Sequence, residues 1–426
     1  MIWTVAVSLL GLMALSIPVG IVLFLLGIGV GQFFSPFPLL RGMGQMIWSS
    51  SASSTLIAIP LFVLLGELLV RGGVAARTYA ALDRWLSWLP GGLIHANIAT
   101  ATMFSATSGS SVATAATVAT VAMPQGERMG YDPRLFSGAI AAGGTLGILI
   151  PPSINLIVYG FLTESSIPSL FVAGLLPGGL MALGFILVTA LICRLRPGLG
   201  GPSRSFTWEE RLRSLVNLVP IIVLFLVVVG SIYAGWATPT ESAAIGVVMA
   251  ALIAAFGDGL KLSSVADALV GTVRITAMIM LVITAAFFLN FAMSSSGMGR
   301  QIGAMIEGAG LSPYATLLVV ILLYVVLGLF IETLSLMVAT IPIVVPIISG
   351  MGFDTIWFGV LMIILIEMAL ITPPVGLNLF VVQSVRRGGS MNQVAVGVIP
   401  YVAVMVAMLI ALIALPGIAL WLPSIL

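Results

Sequence analysis

Apolar residues run in stretches of about 20 or more along most of the chain, and polar residues gather in the joints between them. A helix needs about that length to cross roughly 30 Å of hydrocarbon. The pattern predicts membrane helices over 2–30, 55–70, 135–160, 169–193, 215–236, 242–257, 270–294, 356–384 and 396–423. Short alternating segments, the mark of a membrane β-barrel, do not occur. Two further apolar stretches, 92–123 and 315–346, are broken near their midpoints. The first break reads Ala106-Thr107-Ser108-Gly109-Ser110-Ser111 and the second Phe330-Ile331-Glu332-Thr333. One straight helix would hold these polar groups against lipid. A re-entrant hairpin instead puts the tip in the protein interior, where its backbone groups can be satisfied.

A Pro-Pro pair occurs twice inside long apolar stretches, at Pro151-Pro152 and Pro373-Pro374, 222 positions apart. At the same offset Pro124 matches Pro346, Met129 matches Met351, Gly130 matches Gly352, Asp132 matches Asp354 and Phe136 matches Phe358. The chain is therefore an internal repeat, with a first copy over 1–193, a linker over 194–214 and a second copy over 215–426. Each copy holds one broken hairpin and one helix interrupted by paired prolines. In a membrane protein, broken helices in matching positions of two halves point to a transporter's binding site.

Composition excludes a soluble domain: 60% of the 426 residues are hydrophobic and 7% charged, too few charges to cover a water-facing surface. The N-terminus lacks a basic region and a small-residue cleavage pattern, so 2–30 is expected to be retained as a first helix. Charge orients the chain. With the N-terminus inside and both hairpins re-entrant, 14 of the 16 basic residues fall on the cytoplasmic side, leaving Arg41 and Arg300 outside. The loop after the first hairpin holds Arg128 and Arg134, while its counterpart after the second holds no basic residue. Beyond the broken helices the asymmetry reverses, with Arg386 and Arg387 in the second copy. Equivalent loops thus face opposite sides, an inverted repeat suited to alternating access.

The expected architecture is an all-α polytopic membrane protein in which two hairpin tips and two Pro-Pro elbows converge. Half-helices beginning after Ser111, Pro152, Thr333 and Pro374 would aim N-termini inward and favour an anionic group. Half-helices ending there present carbonyl oxygens, which suit a hard cation such as Na⁺. Thr107, Ser108, Gly109, Ser110, Ser111, Thr145, Gly147, Pro151, Pro152, Ser153 and Asn155 form the candidate site in the first copy. Gly328, Glu332, Thr333, Ser335, Glu367, Thr372, Pro373, Pro374, Gly376 and Asn378 form it in the second. Two cation sites are expected, each pairing a tip with the elbow of its own copy. Glu332 and Glu367 fall at membrane depth, where a carboxylate is costly and functional by default. Glu332 reads as site-proximal, whereas Glu367 reads equally as a coupling group or as a scaffold for its elbow.

Other polar residues have structural readings. Asp132 and Asp354 precede helices as N-caps, Thr238 and Glu241 form a capping box, and Glu67 sits one turn before Arg71. Cys193 and His95 are each the sole residue of their type, which leaves no thiol or imidazole metal site. An intramembrane hydrolase is disfavoured, because no His, Asp or Lys is placed to activate the tip serines.

Several of these motifs together resemble a known family. Ile59-Pro60-Leu61-Phe62 with Gly66-Glu67, Phe104 with Ser108-Gly109-Ser110, Gly130-Tyr131-Asp132, Ile150-Pro151-Pro152-Ser153, Thr238-Pro239-Thr240-Glu241 and Thr372-Pro373-Pro374-Val375-Gly376 occur in that order. They resemble the large membrane subunit (DctM-like, unfused form) of tripartite ATP-independent periplasmic, or TRAP, transporters, collinearly from about residue 10 to 420. The resemblance implies an elevator-type secondary transporter with a scaffold and a mobile transport domain. It implies Na⁺ as coupling ion with no other cofactor, a separate small four-helix membrane subunit, and a periplasmic binding protein that delivers the substrate. Substrates in the family are mostly organic acids such as C4-dicarboxylates, 2-oxo acids, sugar acids and sialic acid. The expected home is the bacterial inner membrane, with the N-terminus cytoplasmic and the C-terminus periplasmic. The alternative reading is a stand-alone ion-coupled anion symporter of similar architecture.

Overall fold

Every regular element among the described residues is helical. The computed structural model describes residues 2–15, 17–35, 38–108, 110–202, 204–257, 261–297, 301, 310–386 and 388–425; side chains at 2, 3, 50 and 105–108 are outside that description. Gly109, Arg300, Arg387 and the side chains of Thr107 and Ser108 therefore lie outside the described residues.

The chain opens with α1 (Ile2–Ala14) and α2 (Val19–Phe33), where one helix over 2–30 was expected. Pro18 caps α2 at φ −54°; it has no N–H to extend a helix and disfavours helical geometry in the residue before it. Next come α3 (Met43–Ser51), α4 (Ala58–Arg71) and α5 (Val74–Leu86). Helix α5 was not foreseen because Arg77, Asp83 and Arg84 leave no long apolar run along it.

The stretch 92–123 is a helix pair, α6 (Leu93–Ser108) and α7 (Ser111–Arg128), packed on each other across a two-residue joint. Helices α8 (Pro133–Leu146) and α9 (Ile154–Thr163) follow, separated by the first Pro-Pro elbow, and then α10 (Ile167–Leu195). Beyond the linker lie α11 (Trp208–Tyr233), α12 (Pro239–Phe256) and α13 (Leu262–Ser295). The second copy repeats the motif with α14 (Pro313–Gly328), α15 (Thr333–Gly350), α16 (Thr355–Ile371) and α17 (Leu377–Val385). The expected span 396–423 is also two helices, α18 (Met391–Ala414) and α19 (Gly417–Ile425), parted at Leu415-Pro416. The order α6 to α10 thus recurs as α14 to α18, and Ser111 and Thr333, 222 apart, open the equivalent helices α7 and α15.

The broken helices are the innermost elements. Residues 135–146 of α8 and 357–371 of α16 are buried without exception. Around them, α10 to α14 expose large apolar side chains such as Leu187, Val216, Val248, Val273 and Leu322, the composition of a lipid-facing surface. Seven helices among the described residues are long and apolar enough to cross a membrane. Helices α8 and α18 touch backbone to backbone: a Cβ on Gly138 would fall on the Gly397 carbonyl, and one on Gly397 would fall on the Arg134 carbonyl.

Caps hold the ends as the sequence implied. Asp132 Oδ1 accepts from the backbone N–H groups of Arg134 and Leu135 at 2.9 and 3.0 Å. Asp354 Oδ1 accepts from Ile356 and Trp357 at 2.8 and 2.9 Å. The Thr238–Glu241 capping box is formed, and Arg71 pairs with Glu67 at 3.0 Å. His95 is buried at the start of α6 with its Nε2 2.8 Å from the Pro90 carbonyl. The linker lies against the base of the first hairpin. Arg204 donates to Asp83 Oδ2 of α5 at 2.8 Å, and Asp132 N donates to Leu199 O at 3.3 Å.

Candidate functional site

Each tip is built by an N-cap at the start of its second helix. Ser110 has extended geometry and its Oγ accepts from Ala113 N at 3.3 Å. Its repeat equivalent is Glu332, whose carboxylate accepts from Ser335 N at 3.1 Å. A serine and a glutamate thus fill the same capping role 222 positions apart. The second tip borders a cavity of about 510 Å³ against α1 and α2, whose wall includes Pro18, Phe330, Glu332 and Ser335. That volume falls in the range of small-molecule sites.

The elbows break the innermost helices at equivalent repeat positions, and both Pro-Pro bonds are cis. Helix α8 ends before Gly147, and α9 restarts from Ser153, whose Oγ accepts from Leu156 N at 3.3 Å. Helix α16 ends at Thr372, whose hydroxyl donates back to Met368 O at 2.6 Å. Helix α17 restarts from Gly376 at φ +54°, where a Cβ would also come within 3.1 Å of Leu370 O, so glycine is required.

Packing brings tips and elbows together in a crossed arrangement. Helices α8 and α16 lie against the hairpins of their own copies. The outgoing halves cross over: α9 packs on α15 and α17 packs on α7. The expected pairing of each tip with its own elbow therefore describes only the incoming halves. Gly144 of α8 makes one such approach possible, since a Cβ there would stand 2.9 Å from Ser111 O. Across the copies, Asn378 Nδ2 reaches Ala141 O at 3.5 Å and Tyr159 donates to Thr355 O at 2.6 Å.

At the junction lies Glu367, fully buried. Its Oε1 accepts from Thr333 Oγ1 at 2.8 Å and from Ser111 Oγ at 3.4 Å. Its Oε2 and the Oδ1 of Asn378 are buried acceptors without a partner among the described residues. Buried oxygens left without donors suit a hard cation, which takes oxygen ligands.

The profile of the family described as "Tripartite ATP-independent periplasmic transporter, DctM component" matches residues 6–418, almost the whole chain. The chain belongs to that family. It is 34% identical over 392 residues to the C4-dicarboxylate TRAP transporter large permease protein DctM of Pseudomonas aeruginosa, covering 92% of this chain and 91% of the relative. It is 33% identical over 446 residues to the protein of the same description from Vibrio cholerae, covering 99% and 97%. The crystal structure of the Alcanivorax borkumensis YdaH transporter matches it with a TM-score of 0.59 at 14% identity, covering 95% of this chain and 96% of that one. At that identity the likeness is one of fold.

Within this TRAP large subunit the candidate residues divide by what they touch. Ser111, Thr333 and Glu367 meet directly, and Ser110, Glu332 and Ser335 stand at the tips around them. Thr145 bonds its own helix at Ala142 O, 2.7 Å away, and Thr372 likewise turns inward, so both hydroxyls are already engaged. Ser153, Asn155 and Asn378 are buried beside the elbows. Asn97 was missed: it is fully buried on α6 and neither amide atom has a partner among the described residues. The signal for it was an asparagine inside an apolar helix.

Proposed function

We propose that this TRAP large subunit is the membrane pathway for importing an organic anion, a carboxylate such as a C4-dicarboxylate or a sugar acid, by Na⁺ symport. The single observation that supports this most is the meeting of both tips at one buried carboxyl, with two elbows packed around them. Inward half-helix N-termini at Ser111, Ile154, Thr333 and Leu377 favour the anion's charge. The unpartnered Glu367 Oε2 and Asn378 Oδ1, with carbonyls at the helix ends, would hold Na⁺. Bound Na⁺ draws the tips and elbows into one arrangement, and the anion completes it. The hairpins with α8, α9, α16 and α17 then move as an elevator against the remaining helices, each re-entrant tip opening to one face.

The substrate is delivered by a periplasmic binding protein, and the chain works beside a small four-helix subunit in the bacterial inner membrane. Its N-terminus is cytoplasmic and its C-terminus periplasmic. The P. aeruginosa relative, described as a C4-dicarboxylate permease, makes succinate the first substrate to try. The test reconstitutes the chain with its small subunit in proteoliposomes and supplies loaded binding protein outside. Uptake is expected under an inward Na⁺ gradient and is lost when choline replaces Na⁺, and Ser110→Ala lowers it. Uptake driven by a proton gradient alone refutes Na⁺ coupling. Uptake of free substrate without the binding protein favours a stand-alone symporter.

A further inference from the structure

Glu367 of α16 occupies the repeat position that Thr145 holds on α8. Thr145 folds its hydroxyl back onto its own helix, whereas Glu367 reaches out to both hairpins. Its two donors, Ser111 and Thr333, are repeat equivalents and each is the first residue of an inward half-helix. Both contacts end on one atom, Oε1, while Oε2 has no partner among the described residues. The distances are unequal, 2.8 Å to Thr333 and 3.4 Å to Ser111. The first is optimal for O–H···O and the second lies beyond the usual range, so the carboxyl is drawn to the second tip at the expense of the first.

We infer that Glu367 is a positioning residue for which the two tips compete: Oε1 can accept from both, but it stands within ordinary range of only one, so drawing one half-helix closer loosens the other. The shared acceptor accounts for the unequal distances, and Oε2, which has no partner among the described residues, does not relieve the competition. A carrier that must not open to both faces at once gains from such mutual exclusion. The inference holds whichever ion drives transport.

Hydrogen exchange read by mass spectrometry, on the full chain in lipid nanodiscs, tests this. The first amides protected by main-chain bonds at the tips are Thr114, bonded to Ser110 O, and Leu336, bonded to Glu332 O, each at 3.0 Å. Thr333→Val keeps the side-chain shape and removes the second tip's donor. Peptides covering 332–340 should then exchange about fivefold faster, the factor that one net hydrogen bond commands. Peptides covering 110–118, in the other copy, should exchange more slowly as Glu367 relaxes toward Ser111. Thr333→Ser should restore both rates. In a Glu367→Leu background, Thr333→Val should no longer slow 110–118. In Glu367→Gln, which retains an acceptor oxygen, it should still do so. Unchanged exchange in α11 and α12 certifies the fold. The inference is overturned if Thr333→Val leaves 110–118 unchanged or speeds it, or if the slowing survives in Glu367→Leu.

Discussion

Gly144→Ala puts a single methyl between the first elbow helix and the first tip. Its Cβ would stand 2.9 Å from Ser111 O, 3.1 Å from Ala115 Cβ and 3.3 Å from Ala115 N. Carbon atoms settle at about 3.5–4.0 Å, so α7 must recede from α8 by roughly half an ångström. No flexible side chain is available to absorb this, because the atoms met are backbone and a β-carbon. Overpacking of this kind costs about 1–3 kcal/mol. Spread over the whole chain, that lowers the apparent Tm by only a few degrees. Concentrated on tip closure, it shifts that equilibrium by about 5- to 150-fold. The displacement also moves Ser111, whose contact with Glu367 is already long at 3.4 Å. Succinate uptake in the proteoliposome assay should therefore fall at least fivefold, and exchange over 110–118 should rise. Gly179→Ala on α10 is the control, since a Cβ there meets nothing within 4 Å. If Gly144→Ala lowers Tm while uptake and tip exchange stay at wild-type values, the strain is absorbed elsewhere and the elbow does not bear on the tip.

Three further outcomes are expected. Asp132→Ala and Asp354→Ala each remove an acceptor for two helix-start amides and should cost about 0.5–2 kcal/mol in thermal unfolding, with similar losses in the two copies. Tyr131→Phe leaves Leu93 N without its 3.0 Å acceptor inside the buried base of the first hairpin; about 1–3 kcal/mol should be lost, read as a Tm shift that Asp354→Ala does not share a cause with. Asp83→Asn breaks the pair with Arg204, so brief trypsin treatment in nanodiscs should cut the linker after Arg204 several-fold faster than in the wild type.

The helix breaks were legible because polar and proline residues inside hydrocarbon leave few structural options. The starts of α7, α9, α15 and α17 fall within three residues of the breaks read from Ser111, Pro152, Thr333 and Pro374. Less legible was a single proline inside an apolar run: Pro18 and Pro416 sit at real breaks, yet the apolar runs continue through both. Helix α5 escaped notice because a helix covered by its neighbours can carry Arg77, Asp83 and Arg84 without being apolar throughout. The crossed packing of α9 on α15 and of α17 on α7 was beyond reach. Periodicity reports where a helix begins and ends, and repeat symmetry permits the outgoing halves to lie with either copy. The contact of Glu367 with Ser111 of the other copy was likewise beyond reach, which is why its two readings could not be separated from sequence.

The crossing of the outgoing halves has a consequence for how the chain is made. Helix α7 starts at Ser111, and the segment that packs on it, α17, starts at Leu377. Synthesis at about 5–20 residues per second separates them by tens of seconds. During that interval the first hairpin sits in the bilayer with its polar tip lacking α17 and Glu367, and neither copy can finish its interior alone. Insertion and folding are thus distinct events for this chain. A ribosome stalled before Leu377 would hold a hairpin that has entered the membrane but cannot yet close, an exposed species for quality-control proteases to recognise.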